Sequence, residues 1–274
     1  MDLCSLLPAK FRRRRPRVAL LRLDGTIGMA RPGARALSDA ALAPRIERAF
    51  RKGAFDAVAL VINSPGGSPV QSSLIAARIR RLADENHVPV HAFVEDVAAS
   101  GGYWLACAAD DIWTDATSIV GSIGVISAGF GLDGFIERHG IARRVHTAGQ
   151  SKSFLDPFRP EKPEDVARLE ILLADMHVSF TDWVTARRGA RLKRDDLFTG
   201  EFWTGRQALD TGLIDGIAHA VPKLKELYGE KVKIVPFVQR RSLLSRFGAQ
   251  LGAEAASGLA QTVEERALWS RYGL

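Results

Sequence analysis

Cysteine is nearly absent: Cys4 and Cys107 are the only two in 274 residues. No disulfide framework can staple the fold, and with no CxxC pair or Cys/His cluster no zinc site is spelled out. Such usage is that of a reducing compartment, the cytoplasm. No stretch approaches the ~20 apolar residues of a spanning helix. Residues 1–9 are too short for the apolar region and cleavage site of a secretory signal. What is present is ordinary: 46% hydrophobic and 25% charged residues exclude a disordered or fibrous chain.

The positive charge sits in one place. Lys10, Arg12, Arg13, Arg14, Arg15 and Arg17 follow one another with no acid among them, and without these six the formal net charge drops from +7 to +1. The body is near neutral, so nothing marks it as a nucleic-acid-binding domain. The arm can instead meet an anionic membrane, where each Lys or Arg is worth about 1 kcal/mol, or remain a solvated tail.

Three regions follow: a basic arm (1–17), one domain (18–237) and a helical tail (238–274). Residues 18–23 and 57–62 are apolar runs, the second continuous enough for a strand buried on both faces. Leu74, Ile75, Ile79 and Leu82 recur at helical spacing over 70–86, with Ser68 as the N-cap. The pattern predicts strands at 88–94, 143–147 and 232–237, and helices over 98–109, 135–139, 162–188, 206–210 and 221–228. Strands alternating with helices imply an α/β fold with a mainly parallel sheet. In the tail, Leu243, Leu244, Phe247 and Leu251 share a helical face beside Arg240, Arg241 and Arg246. That face suits packing on the domain or on a neighbouring subunit, or a membrane surface.

Two glycine pairs each follow a predicted strand: Asn63-Ser64-Pro65-Gly66-Gly67 and Ala98-Ala99-Ser100-Gly101-Gly102. Neither matches a GxGxxG or GxxxxGK(S/T) nucleotide loop. Each leads into a helix, whose free N–H groups favour a developing negative charge. Two such sources facing one point make an oxyanion hole. Ser100 lies inside the second pair, although Ala98 departs from a GxSxG elbow. Its hydroxyl needs a base. None of the six histidines carries a motif, His139 and His146 being the best placed. Lys152, in Gly149-Gln150-Ser151-Lys152-Ser153-Phe154, is the better base if burial neutralises it, since roughly one lysine in a few thousand is neutral in water at pH 7.

These motifs, with Gly121-Ser122-Ile123-Gly124-Val125, Pro157-Phe158-Arg159-Pro160, Trp203-Thr204-Gly205-Arg206-Gln207-Ala208 and Gly212-Leu213-Ile214-Asp215, follow one another as in signal peptide peptidase A (protease IV). The chain resembles that serine-lysine peptidase family over about 18–237. The resemblance implies a ClpP/crotonase-like fold with repeated strand-strand-helix units and no metal or organic cofactor. It assigns Ser100 as nucleophile, Lys152 as general base, Gly67 and Gly101 N–H as oxyanion donors, and Ser122 as the residue orienting the lysine. It further implies peptide substrates, signal peptides among them, and a homo-oligomer in which adjacent subunits can share the dyad. Many members carry an N-terminal membrane anchor where this chain has its basic arm. A bacterial enzyme in the cytoplasm or peripheral to the inner membrane is therefore expected.

Three rivals remain. An acyl-CoA enzyme of the crotonase kind would use Glu95 or Asp96 and have no need of Ser100 or Lys152. A ClpP-like Ser-His-Asp peptidase would use His139 or His146. A catalytically silent, membrane-associated scaffold would need neither dyad residue. Cys107 reads as a small buried hydrophobe.

Overall fold

The computed structural model describes residues 14–28, 37–149, 151–237 and 266–274. Its centre is a run of parallel strands separated by helices: β1 (Arg17–Asp24), α1 (Asp39–Ala49), β2 (Ala57–Ser64), α2 (Pro69–Asn86), β3 (Val90–Ala99) and α3 (Gly101–Ala106). The short β4 (Asp111–Thr114) and β5 (Ile119–Gly121) come next, then α4 (Asp133–Arg138) and the 26-residue α5 (Pro163–Arg188). β6 (Phe202–Thr204), α6 (Gly205–Thr211), β7 (Gly216–Ile217), α7 (Ala220–Tyr228) and β8 (Lys233–Phe237) complete the set. The α/β class with a mainly parallel sheet is what the alternation implied: among the strand pairings only β5 with β6 is antiparallel.

The central sheet order is β6-β5-β3-β2-β1-β8. β2 is the middle strand, and its apolar run Ala57–Ile62 is fully covered. β3 is long enough to have two partners on its far side. His91–Val94 pairs with β4, and Val97–Ala99 with β5. The sheet forks at Glu95-Asp96, where the Ser118 hydroxyl donates to the Glu95 carbonyl. One branch continues to β7, and the other carries the end of β3 to the glycine-rich segment after β5.

Helix caps follow the sequence. Ser38 and Ser68 accept from the third backbone N–H of α1 and α2, and Thr204 with Gln207 forms a capping box on α6. α1 lacks a sequence signal because Pro44 lies inside it, yet Leu42, Ile46 and Ala49 bury one stripe. Two expectations are corrected. Residues 143–147 are not a strand: apart from Val145 they are exposed, and no neighbour pairs with them among the described residues. Of the small-residue stretch 98–109, Ala98 and Ala99 belong to β3, and the helix spans only Gly101–Ala106. Small side chains there serve close strand pairing as well as they serve a helix.

α5 divides into two halves. Phe180 and Val184 bury against α3, with the Phe180 ring stacked on Trp104 at 4.7 Å. Arg188 is 2% exposed; it holds Asp215 at 2.6 Å and the Gly212 carbonyl at 2.8 Å. Asp215 also accepts from the Ile112 N–H at 2.8 Å, which ties α5, β4 and the turn before β7 together. Beside them Cys107 is buried, and burial pushes its thiol up to about 12. It is the inert small hydrophobe expected. The first half of α5 leaves Ile171 largely in solvent, as the preceding segment leaves Phe130 and Ile141. Removing one member of a buried ion pair strands the other charge. Arg188→Ala is therefore expected to cost about 3 kcal/mol, read as a fall in urea midpoint, and an unchanged midpoint would refute the pin.

Candidate active site

The site forms where β2 and β3 end side by side. Ser64, the last residue of β2, pairs with Ala98, and the register slips between Ile62 and Ser64. Asn63 spans the slip, donating to Asp96 at 2.7 Å and accepting from the Val97 N–H at 3.2 Å. Both strands then turn into helices, and their glycine pairs interlock. A Cβ on Gly66 would lie 2.9 Å from the Gly101 nitrogen and from Ser100 Cβ, and one on Gly102 only 2.4 Å from the Ser64 carbonyl oxygen. Glycine is needed because backbone meets backbone there.

Ser100 takes φ 51° and ψ −121°, a region that residues with a side chain seldom enter. Its N–H donates to the Gly121 carbonyl at 2.8 Å, and its carbonyl accepts from Trp104 at 3.0 Å. The hydroxyl makes no capping bond although Ser100 occupies the N-cap of α3. Among the described residues backbone bonds alone hold the residue.

Two N–H groups belong to the same interlocked turns. Gly101 is the first residue of α3, where no helical acceptor exists. Gly67 (φ 141°) is bridged to Ile27, but the bonds run through its neighbours: Ile27 N–H to the Gly66 carbonyl at 2.8 Å and Ser68 N–H to the Ile27 carbonyl at 2.7 Å. The Gly67 N–H thus faces away from Ile27, and among the described residues neither it nor the Gly101 N–H has an acceptor. Behind Gly67 stands the N-terminus of the 18-residue α2, whose dipole adds positive potential.

Ser122 joins this group through the Gly121 carbonyl that receives Ser100. It is 5% exposed, at φ 52°, and donates its own N–H to the Glu201 carbonyl at 2.6 Å. Its hydroxyl accepts from Tyr272 at 3.3 Å, and the Tyr272 ring meets Phe202 edge-on at 5.2 Å. The sequence drew no attention to Tyr272: it is 150 positions from Ser122, and no pattern announces such a contact. The amphipathic stretch read from Leu243, Leu244, Phe247 and Leu251 lies outside the described residues.

Lys152 is not with them. It is exposed on a turn in the segment between β5 and α5, its N–H bonded to the Gly149 carbonyl at 3.3 Å. Among the described residues no hydrogen bond or ion pair links it to Ser100 or Ser122. The same segment holds a cavity of about 730 Å³ between residues 127–133 and the start of α5. His139 and His146 are exposed as well, and His139 is engaged with the Phe135 carbonyl at 2.8 Å. Glu95 pairs with Arg22 and Asp96 with Asn63, so both carboxylates are engaged. Among the described residues no group of His, Cys, Asp and Glu is arranged to hold a metal ion.

The family model described as peptidase family S49 matches residues 83–230. The Na(+)/H(+) antiporter NhaA of Brucella melitensis is 46% identical over 98% of this chain, which spans 38% of that protein. The probable protease SohB of Haemophilus influenzae is 31% identical over 71% of this chain and 55% of its own length. The chloroplastic serine protease SPPA of Arabidopsis thaliana is 31% identical over 77% of the chain and 32% of its own length. The chain thus spans between a third and just over half of these relatives. Of solved structures, a serine-to-alanine mutant of the 1510-N membrane-bound stomatin-specific protease aligns with 83% of this chain and all of its own, at 14% identity and a TM-score of 0.46.

Overpacking at a backbone contact costs about 1–3 kcal/mol. Gly102→Ala is expected to lower the melting temperature and to abolish labelling of Ser100 by a fluorophosphonate. Labelling at the wild-type rate would show that the Ser64–Gly102 approach does not shape the site.

Proposed function

Because the chain belongs to peptidase family S49, we propose that it is a serine endopeptidase in which Ser100 is the nucleophile and Lys152 the general base. One observation carries the assignment of Ser100: a strained serine with no capping bond, in turns that also hold two N–H groups without acceptors among the described residues. Ser100 Oγ attacks the peptide carbonyl carbon while its proton passes to the neutral Lys152 amine. The oxyanion is received by the Gly67 and Gly101 N–H groups, an interaction worth about 100- to 1000-fold per donor. The proton then passes to the leaving amine as the acyl-enzyme forms. Water, giving its proton to Lys152, hydrolyses the ester and frees Ser100. Ser122 orients the lysine.

An ammonium exposed to water is a poor base, and burial is what favours the amine. The segment bearing Lys152 exposes Phe130 at 83% and the facing half of α5 exposes Ile171 at 70%, more apolar surface than a solvated arm requires. This supports a homo-oligomer in which the segment of one subunit lies over the Ser100 of the next, burying Lys152 where it acts. The substrates are peptides in extended form, with signal peptides and other apolar peptides the class proposed. The antiporter name belongs to relatives of which the chain matches little more than a third; no transport is proposed.

The test is turnover of a quenched apolar peptide by wild type, Ser100→Ala and Lys152→Ala, each checked for folding and oligomer size. Both variants are expected to lose at least about 1000-fold in kcat. Mixing them is expected to restore part of the activity if the dyad spans subunits, since some interfaces then join an intact Ser100 to an intact Lys152. Wild type without turnover or fluorophosphonate labelling as an intact oligomer would favour the silent scaffold.

A further inference from the structure

Several cations on this protein are held by acids. Arg78 is held by Asp39 and Glu47, Arg80 by Asp84 and Asp110, Arg188 and Arg191 by Asp215. At one corner a group of cations lies together without such acids. The guanidinium of Arg14 donates to the carbonyls of Gly53 at 2.7 Å and Ala54 at 2.8 Å, which clamps the approach to β1 onto the loop before β2. That loop exposes Arg51 and Lys52, and Arg15 is exposed beside Arg14. Arg17 lies over the Phe55 ring at 4.9 Å and Arg48 over Phe237 at 5.4 Å, the two rings meeting edge-on at 5.5 Å.

None of these six cations has a carboxylate within ion-pair distance among the described residues. The only acid in 14–17 and 48–56 is Asp56, which accepts the Arg17 backbone N–H at 2.7 Å. Lys233 adds a further charge as the strand partner of Arg17. Like charges left together without acids repel, and an external anion relieves them. Nearby, Arg45 is pushed below the usual guanidinium range by burial and by Arg48.

The geometry points to a docking surface for an anionic lipid bilayer, formed at this corner by Arg14, Arg15, Arg17, Arg48, Arg51 and Lys52. Two features favour a bilayer over a nucleic acid. Phe55 and Phe237 pack against each other beneath arginines, so they offer no open face for base stacking. The chain next to the corner also extends the charge: Lys10, Arg12 and Arg13 precede Arg14, and Arg240 and Arg241 follow Phe237. Local charge of this kind on a nearly neutral body suits a charged plane, each cation contributing about fivefold in affinity.

The experiment is co-sedimentation of the full chain with vesicles of phosphatidylcholine alone or with about 30% phosphatidylglycerol. Binding is expected only to the anionic vesicles and is lost in about 0.5 M NaCl. A triple variant, Arg15→Gln, Arg51→Gln and Lys52→Gln, removes three exposed charges whose side chains make no hydrogen bond among the described residues, so its melting temperature stays put. It is expected to bind on the order of a hundredfold more weakly. Lys193→Gln with Arg206→Gln, an equal kind of change elsewhere, is expected to bind as wild type does. Absence of binding, equal binding to neutral vesicles, or wild-type affinity in the triple variant would each overturn the proposal. Tighter binding to a single-stranded RNA oligonucleotide than to anionic vesicles would assign the corner to nucleic acid and overturn it as well.

Discussion

The site depends on how closely two backbones approach. Where β2 and β3 end, Gly66 sits against Ser100 and Gly101, while Gly102 sits against the Ser64 carbonyl. Neither strand-to-helix turn alone does more than redirect the chain. Together they put a strained serine and two N–H groups without acceptors among the described residues into one pair of interlocked turns. A side chain at Gly66 or Gly102 would push the turns apart, and on the proposed reading the oxyanion hole would lose its hydrogen-bond geometry. The cost of the arrangement is the φ of Ser100, offset by the bond to Gly121, the first turn of α3 and the buried strand pairing on either side.

Much of this was legible because it is local. The apolar run before Asn63, the glycine pairs and the Ser68 cap are contiguous signals, and each implies its own turn. That the turns meet was legible only through the alternation of strands and helices, which requires parallel neighbours with their ends on one side. The fork in β3 was not. The sequence reads 88–94 as a strand and 98–109 as a helix, and small residues such as Ala98 and Ala99 suit a strand as well. Only the pairing of Ala98 and Ala99 with Ser64 and β5 decides it. α1 was hidden by Pro44, and Tyr272 by its distance along the chain. Residues 143–147 show the reverse failing: alternation predicts a strand, but a strand exists only where a partner accepts its hydrogen bonds, and none lies there among the described residues.

The separation of Lys152 from Ser100 has a mechanistic sense on the proposed reading. On that reading a subunit alone would hold the nucleophile and the oxyanion donors, while among the described residues Lys152 makes no bond to Ser100. Its Ser100 is then only as reactive as an ordinary hydroxyl. Assembly would bury the apolar segment and deliver the amine in one event, so reactivity would rise with oligomer and fall on dilution by mass action. The cavity between residues 127–133 and the start of α5 belongs to that same segment. A contact that fills it would hold the Lys152 turn more firmly than the bonds within the segment do.

The basic corner and the site lie at opposite ends of the sheet. β1, β2 and β3 are parallel; Arg14, Arg15, Arg51 and Lys52 precede their strands, whereas Ser100 follows its own. At about 3.3 Å per residue, strands of eight to ten residues put the two ends roughly 26–33 Å apart. A bilayer held at the first end therefore leaves the second facing away from the headgroups. A substrate still embedded in the same leaflet could not reach Ser100 directly. The two proposals are compatible for peptides that have left the bilayer, or that extend from it by about ten or more residues in an extended conformation. They would conflict for a peptide cut within the lipid plane.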